Sequence, residues 1–284
     1  MAYKLIALDL DDTLLRSDLT ISPRTRGALK KAMSGGTAVV LATGRVPNAL
    51  SNYVKVLGLN KLNGYLICGN GTQVLDSRTG AVVDELTLPR RAALAAFDLV
   101  DAEDFCVQLY DGKKIIVSRR NEFSDADERL TGLKQIVPES FRSYIIEHGA
   151  HKLVVPADPM LLRPLEEILR NMLSDEITLF TSKPYYLEIM PPACDKGSAL
   201  AKIAAKLGID QSEVMAFGDS MNDEAMLRWA GCGIAMKNGD DRVKRAARLV
   251  TEKSNDEDGI AIAIERYVLA GEEPPRGAGL RAGQ

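Results

Sequence analysis

The sequence predicts an α/β chain, a parallel-sheet core interrupted by an inserted α+β block, and three observations predict it. Short apolar runs alternate with helical stretches over the first 70 residues. Hairpin patterns punctuated by turn residues replace that alternation through the middle of the chain. The alternation then resumes toward the end. Strand–helix alternation is the pattern of a parallel sheet covered by helices on both faces, and neighbouring hairpins are the pattern of antiparallel pairing. The 284 residues suffice for one large domain or two ordinary ones. With 46% apolar and 26% charged residues and no long block of one sign, the chain reads as globular.

Taken in order, residues 3–10 (YKLIALDL) are a buried strand. Ser22 is placed as the N-cap of the next helix and Pro23 at its first position, with Gly35-Gly36 ending it. Residues 37–42 form a second strand. Thr43-Gly44-Arg45 leads into a helix reaching about Leu57, and residues 65–68 form a third strand. Asn70-Gly71 and Thr79-Gly80 are turn signals between short strands. A helix over 89–103 follows, then two strands over 105–117 around Asp111-Gly112, a helix over 159–173 and a strand over 185–190. The second half of the core reads as a helix over 196–207 stopped by Gly208, a strand over 214–217 and a helix over 223–230. A strand over 233–236, a helix over 240–247, a short strand at Leu249-Val250 and a last helix over 258–269 complete it. The expected organisation is therefore a core of 1–84 plus 189–270 and an inserted α+β block of 85–188. The Gly- and Pro-rich tail, 271–284, is expected to be disordered. No internal repeat is present.

A net charge of −3 gives no bulk attraction to nucleic acid or to an anionic membrane. No apolar run approaches the roughly 20 residues of a membrane helix, and the first residues do not resemble a signal peptide. Cys68, Cys106, Cys194 and Cys232 are scattered without a CxxC pair and read as reduced thiols of a cytoplasmic protein.

In open α/β sheets, sites form at the carboxyl ends of the strands. Four stretches there carry chemistry. Asp9-Leu10-Asp11-Asp12-Thr13 ends the first strand. Two carboxylates about 4 Å apart repel by roughly 4 kcal/mol at an effective dielectric of about 20, and a divalent cation is the usual compensation. Acids capping a turn into solvent are the ordinary alternative. Thr43-Gly44-Arg45 offers a hydroxyl, a glycine amide and a guanidinium to an anion; a threonine merely capping a helix would look the same. Lys196, in Asp195-Lys196-Gly197, sits at a helix start, where the dipole disfavours a cation. Such a placement suits a lysine holding a phosphoryl oxygen, although many lysines are simply exposed. Gly218-Asp219-Ser220-Met221-Asn222-Asp223 packs two carboxylates and an amide between a strand and a helix, which suits a hard cation.

The set LDLDDTLL, LATGR, DKGSAL and GDSMND resembles, in order, the four motifs of the haloacid dehalogenase (HAD) superfamily of phosphohydrolases. CGNGTQV, LEIMPPACDKGSAL, MAFGDSMNDEAML and TEKSNDEDGIA resemble its Cof-type branch, whose α+β cap lies between the second and third motifs. The likeness spans nearly the whole chain except the tail and is weakest over 120–150. It implies a Rossmann-like, HAD-like core with an inserted cap, and a Mg2+-dependent phosphatase acting on small phosphate monoesters such as sugar phosphates or phosphorylated cofactors. It further implies Asp9 as nucleophile and Asp11 as acid–base, with the metal on Asp9, the Asp11 backbone carbonyl and Asp219. Thr43 and Lys196, with amides near Leu10 and Gly44, would hold phosphate oxygens, and Asn222 would support the phosphate or metal shell. Asp223 would order the metal's waters or Lys196. Arg45 and Asn70 stand near the expected mouth of the site. The family often has Gly where this chain has Asp12, which leaves the backbone shape there open.

A phosphomutase or phosphotransferase of the same fold is the alternative, as is a binding protein phosphorylated on aspartate. The acid–base Asp11 and the large insertion argue against the latter. The expected partner is a small-molecule phosphate ester, with no nucleic acid or membrane, and the expected state is a monomer or homodimer. His148 and His151 lack a third ligand nearby and are set aside as a metal pair. Trp229 is read as core, Tyr185-Tyr186 as packing, and Lys30-Lys31 and Arg90-Arg91 as surface charge.

Overall fold

Apolar runs five residues long, with side chains buried on both faces, form the centre of the protein. The computed structural model describes residues 3–62 and 64–275. Its strands are β1 (Leu5–Asp9), β2 (Ala38–Ala42), β3 (Gly64–Cys68), β4 (Gln73–Asp76), β5 (Val82–Glu85), β6 (Gln108–Asp111), β7 (Lys114–Val117), β8 (Lys134–Ile136), β9 (Leu153–Pro156), β10 (Thr178–Lys183), β11 (Tyr186–Met190), β12 (Val214–Gly218), β13 (Cys232–Ala235) and β14 (Leu249–Val250). Its helices are α1 (Pro23–Ser34), α2 (Ser51–Leu57), α3 (Arg90–Ala102), α4 (Glu122–Thr131), α5 (Phe141–His148), α6 (Pro159–Leu173), α7 (Lys196–Leu207), α8 (Glu224–Trp229), α9 (Asp241–Ala246) and α10 (Gly259–Ala263).

The chain divides into two units. The first comprises the chain up to Thr43, Leu50–Asp84, and the chain from Asp195 on. The second comprises Glu85–Cys194 and the short segment Gly44–Ala49. The division differs from the expected boundaries in two places. Gly44–Ala49 packs with the inserted unit, and residues 189–194 stay with it until the N-cap of α7.

In the first unit one sheet runs β14-β13-β12-β1-β2-β3-β4-β5. The six strands from β14 to β3 are parallel, and β4 turns back antiparallel on β3. The chain leaves β1 toward β2 and later returns to its other side with β12, so β1 is the topological switch point, where crevices open in such sheets. Alternate residues feed two cores. Ile6, Leu8, Val39, Leu41, Met215 and Phe217 pack on the side of α1, α2 and α10. Leu5, Ala7, Val40, Ala42, Val214 and Ala216 pack on the side of α7, α8 and α9. Ser22 Oγ caps α1 by accepting from Thr25 N at 3.0 Å, as the Ser-Pro signal predicts.

The second unit is a six-stranded sheet, β10-β11-β9-β6-β7-β8, antiparallel except for β7–β8. Leu109, Ile116, Leu153, Val155, Leu187 and Ile189 meet α3, α5 and α6 on one face. Four elements here, β8, α4, α5 and β9, have no counterpart in the sequence expectations, and neither does β10. The last helix, expected over 258–269, is α10 followed by a more broadly wound stretch, Ile264–Leu269, whose end closes with Ala270 N donating to Glu265 O. The expected tail overlaps the described residues only at 271–275; the remainder, like Met1, Ala2 and Asn63, lies outside them. All four cysteines are buried thiols outside any disulfide. Among the described residues no helix is long and apolar enough to cross a membrane.

Candidate active site

Asp9 is the last residue of β1 and only 6% exposed. The chain then makes a wide turn, Leu10–Leu14, in which Asp11 is extended (φ −73°, ψ 132°) and Asp12 left-handed (φ 56°, ψ 7°). The left-handed region favours glycine and, after it, Asn or Asp. Asp12 thus occupies a position suited to the glycine its motif often has, and its carbonyl accepts from Asn238 Nδ2 at 2.7 Å. In the same turn the Thr13 hydroxyl donates to Asp219 Oδ1 at 2.7 Å, and Ser220 Oγ donates to Asp219 Oδ2 at 2.9 Å.

Lys196 is the first residue of α7 and fully buried. Its Nζ lies 2.5 Å from Asp9 Oδ1 and 2.6 Å from Asp223 Oδ1. The ordinary alternative of an exposed lysine does not hold here. The two carboxylates outweigh the unfavourable helix dipole. Asp223 Oδ2 accepts from the amides of Asp219 and Ser220, at 3.0 Å each. With both its oxygens engaged by protein donors, Asp223 fits a role in ordering Lys196 and the Asp219 loop.

The oxygens of Asp9, Asp219 and Asp223 come within 4.8 Å of one another. Three carboxylates face one ammonium. Burial pushes Asp9 well above the usual carboxylate range, with Asp223 adding to it and Lys196 opposing. Burial and then Asp223 push Asp219 up to about 6, against the Thr13 and Ser220 hydrogen bonds. Burial works against the charge on Lys196, yet Asp223 and Asp9 hold its pKa above the ordinary value. This excess negative charge, presented on hard oxygen atoms, fits a small divalent cation. The three clustered carboxylates are those of Asp9, Asp219 and Asp223; the expected contribution of Asp11 is its backbone carbonyl, which lies outside a side-chain cluster of this kind.

Thr43 follows β2 directly, and the pairing of Asp9 with Ala42 puts it at the same sheet edge as Leu10. Its amide donates to Ile67 O at 2.8 Å, and its carbonyl accepts from Asn70 N at 2.9 Å. Asn222 Nδ2 donates to Asn70 Oδ1 at 2.9 Å. Gly44 and Arg45 belong to the second unit, where Gly44 O accepts from Lys152 Nζ at 3.3 Å. Asp9, Leu10, Asp11, Thr43, Lys196, Asp219, Asn222 and Asp223 all fall in the first unit, and Gly44 and Arg45 in the second.

Sequence reasoning passed over Thr13 and Ser220, the two hydroxyls that fix Asp219. Their signal was adjacency: each closes or interrupts an acid cluster. It also passed over the polar face of the second unit, opposite α3, α5 and α6. There Lys152 and Glu188 pair at 2.8 Å, and Asp127 accepts from Gln108 Nε2 and the Tyr110 hydroxyl. Burial raises Asp127 against those two bonds. His151 lies beside Glu85 and Leu86 O, in no metal-type cluster among the described residues.

Residues 6–264 match the family of haloacid dehalogenase-like hydrolases. The chain belongs to that family. Among its relatives, the 5-amino-6-(5-phospho-D-ribitylamino)uracil phosphatase YcsE of Bacillus subtilis is 32% identical, covering 94% of this chain and 96% of that protein. An HMP-PP phosphatase of Serratia proteamaculans is also 32% identical, covering 83% and 84%. A haloacid dehalogenase-like hydrolase from Bacteroides thetaiotaomicron superposes with a TM-score of 0.82 at 32% identity, over 93% of this chain and 98% of that one. Membership in the haloacid dehalogenase-like hydrolases agrees with the parallel-sheet core and with the hydrolase class that the motifs imply.

Proposed function

We propose that this chain is a Mg2+-dependent phosphatase that hydrolyses small phosphate monoesters through a phospho-aspartyl intermediate on Asp9. The observation that carries the reading is the buried Asp9–Lys196–Asp223 array beside Asp219 at the end of the switch-point strand. Relatives named as phosphatases of phosphorylated small molecules support it.

Magnesium, held by Asp9, Asp219 and the Asp11 carbonyl, would supply positive charge to the phosphate and to the attacking carboxylate. Lys196 fixes Asp9 through Oδ1, and the attack is assigned to Oδ2. A bond forms from Asp9 to phosphorus as the bond to the leaving oxygen breaks, and Asp11 gives that oxygen its proton. Asp11 then takes a proton from the water that attacks phosphorus, releasing phosphate and restoring the Asp9 carboxylate. Thr43, Lys196 and the Leu10 amide hold the equatorial oxygens, where charge is spread in the transition state. Asn222 supports that shell. Gly44 and Arg45 keep their substrate-binding assignment on sequence position alone. The inserted unit is assigned the choice of leaving group, and the enzyme is assigned to the cytoplasm, as a monomer or homodimer.

Phosphate release tests the reading. The panel comprises sugar phosphates, pyridoxal phosphate, nucleotides, HMP-PP, the ribitylaminouracil phosphate and an aryl phosphate, each with magnesium and with chelator. The expected result is magnesium-dependent release that is lost in Asp9→Asn. Release that survives chelation, or that persists in Asp9→Asn, contradicts it. Transfer of the phosphoryl group to a sugar acceptor, with no free phosphate, would make the enzyme a transferase.

A further inference from the structure

The turn after β3, Gly69-Asn70-Gly71, carries three successive positive φ angles: 55°, 58° and 108°. Asn70 is the one that bears a side chain, and it is completely buried. Among residues with a side chain, Asn is one of the few that enters the left-handed region readily, and it persists there where its surroundings impose it. Asn70 N donates to Thr43 O at 2.9 Å, so its backbone holds the loop after β2. Asn70 Oδ1 accepts from Asn222 Nδ2 at 2.9 Å, so its side chain holds the loop after β12. Gly71 touches a third loop. A Cβ there would stand 2.5 Å from the carbonyl oxygen of Asp195, the N-cap of the helix that begins with Lys196.

We infer that Asn70 is a positioning residue, cross-bracing the loops that carry Thr43 and Asn222 to each other and to the start of α7. The inference rests on the phosphatase reading for its catalytic consequence. The brace itself is a statement about the first unit alone. A glycine at residue 70 would permit the left-handed backbone and keep the bond to Thr43 O. It would remove only the carboxamide that meets Asn222. Alanine would remove the carboxamide and strain the turn as well.

Asn70→Gly therefore separates the brace from the backbone. Loosening the loops misplaces groups that act on the transition state, and small misplacements there cost about 10- to 100-fold. In Asn70→Gly, kcat for an aryl phosphate is expected to fall about tenfold. The inhibition constant for vanadate, which mimics five-coordinate phosphorus, should rise by the same factor, while KM stays within about twofold. Because the two residues act as one unit, Asn70→Gly should add less than about twofold in an Asn222→Ala background. Hydrogen–deuterium exchange of the unliganded protein gives a second readout independent of turnover. Peptides spanning residues 40–46 and 219–223 should exchange faster in Asn70→Gly, with the global unfolding temperature within about 2 °C of wild type. Unchanged exchange in those peptides overturns the brace whether or not any ester is hydrolysed. So does wild-type kcat, a parallel change in kcat and KM, or full multiplicativity with Asn222→Ala. A wild-type enzyme inert toward every ester would instead count against the phosphatase reading, and the exchange result would still decide the brace.

Discussion

Lys196 shows how much a single buried charge organises. Removing its ammonium leaves Asp9 and Asp223 facing each other without a counter-charge. Breaking a buried ion pair in this way costs about 3–5 kcal/mol, less whatever the carboxyls recover by taking up protons. Lys196→Met is therefore expected to lower stability in urea melts by a few kcal/mol and to reduce kcat by about 10³-fold or more. A variant as active as wild type would remove Lys196 from the chemistry. Asp12 makes the opposite prediction. At φ 56°, Asp12→Gly relieves the backbone in the folded state but loosens the unfolded chain by a similar amount. Its melting curve should stay within about 1 kcal/mol of wild type with activity retained, whereas Asp12→Val should lose about 1–2 kcal/mol. The acids and the threonine were legible in the sequence because each stands just past an apolar run, and the lysine because it opens a helix against the dipole. Thr13 and Asn70 were not assigned a structural partner because their partners lie 206 and 152 residues away, and Ser220 was not because adjacency to Asp219 does not say which way its hydroxyl turns.

Among elements, α7 and α8 approach so closely that Gly197 has no room for a side chain. A Cβ there would meet the Ala225 carbonyl carbon and oxygen at 2.6 Å. Backbone cannot yield as a flexible side chain can, so the helix bearing Lys196 would have to shift. Gly197→Ala is expected to destabilise the protein by about 1–3 kcal/mol, read by thermal or urea unfolding, and to lower kcat with it. An unperturbed melt would mean that α7 moves freely, and its role in placing Lys196 would fail. The long amphipathic helix α6 was legible from its strong periodicity, and β1 from its apolar run. Three of the missed elements have weak patterns. β8 has three residues, two of them polar; α4 reads EFSDADERLT, with only Phe123 and Leu130 large and apolar; and β10 is an edge strand with no residue fully buried. Their stability comes from packing and capping, including the Asn121–Ser124 box, more than from local pattern.

For the molecule as a whole, the modest net charge of −3 conceals a concentrated negative site. Asp219 has a folded-state pKa of about 6, above the roughly 3.9 of a free aspartate. The metal-free folded protein therefore keeps a proton that the unfolded chain releases. Its contribution to stability is full below about pH 4 and is lost as pH rises through about 6. A cation offsets that loss but must displace the proton, so its affinity should fall about tenfold between pH 7 and pH 5. Magnesium is expected to raise the unfolding temperature clearly at pH 7.5 and much less at pH 5. An equal shift at both values would exclude Asp219 as a ligand.

The covalent intermediate is the claim on which the account turns. The most direct measurement is an acid quench of the Asp11→Asn enzyme reacting with 32P-labelled aryl phosphate and magnesium: one portion is counted for protein-bound 32P, and a second is reduced with tritiated borohydride, which turns an aspartyl-phosphate into labelled homoserine with loss of phosphate, and is peptide-mapped. Neutralising Asp11 slows the second step, so the phosphoryl group should accumulate, and reduction should mark the peptide at Asp9 and nowhere else. No label should form in Asp9→Asn. Label on another residue, or turnover by the wild type with no labelled peptide in Asp11→Asn, would contradict the assignment of Asp9 as nucleophile.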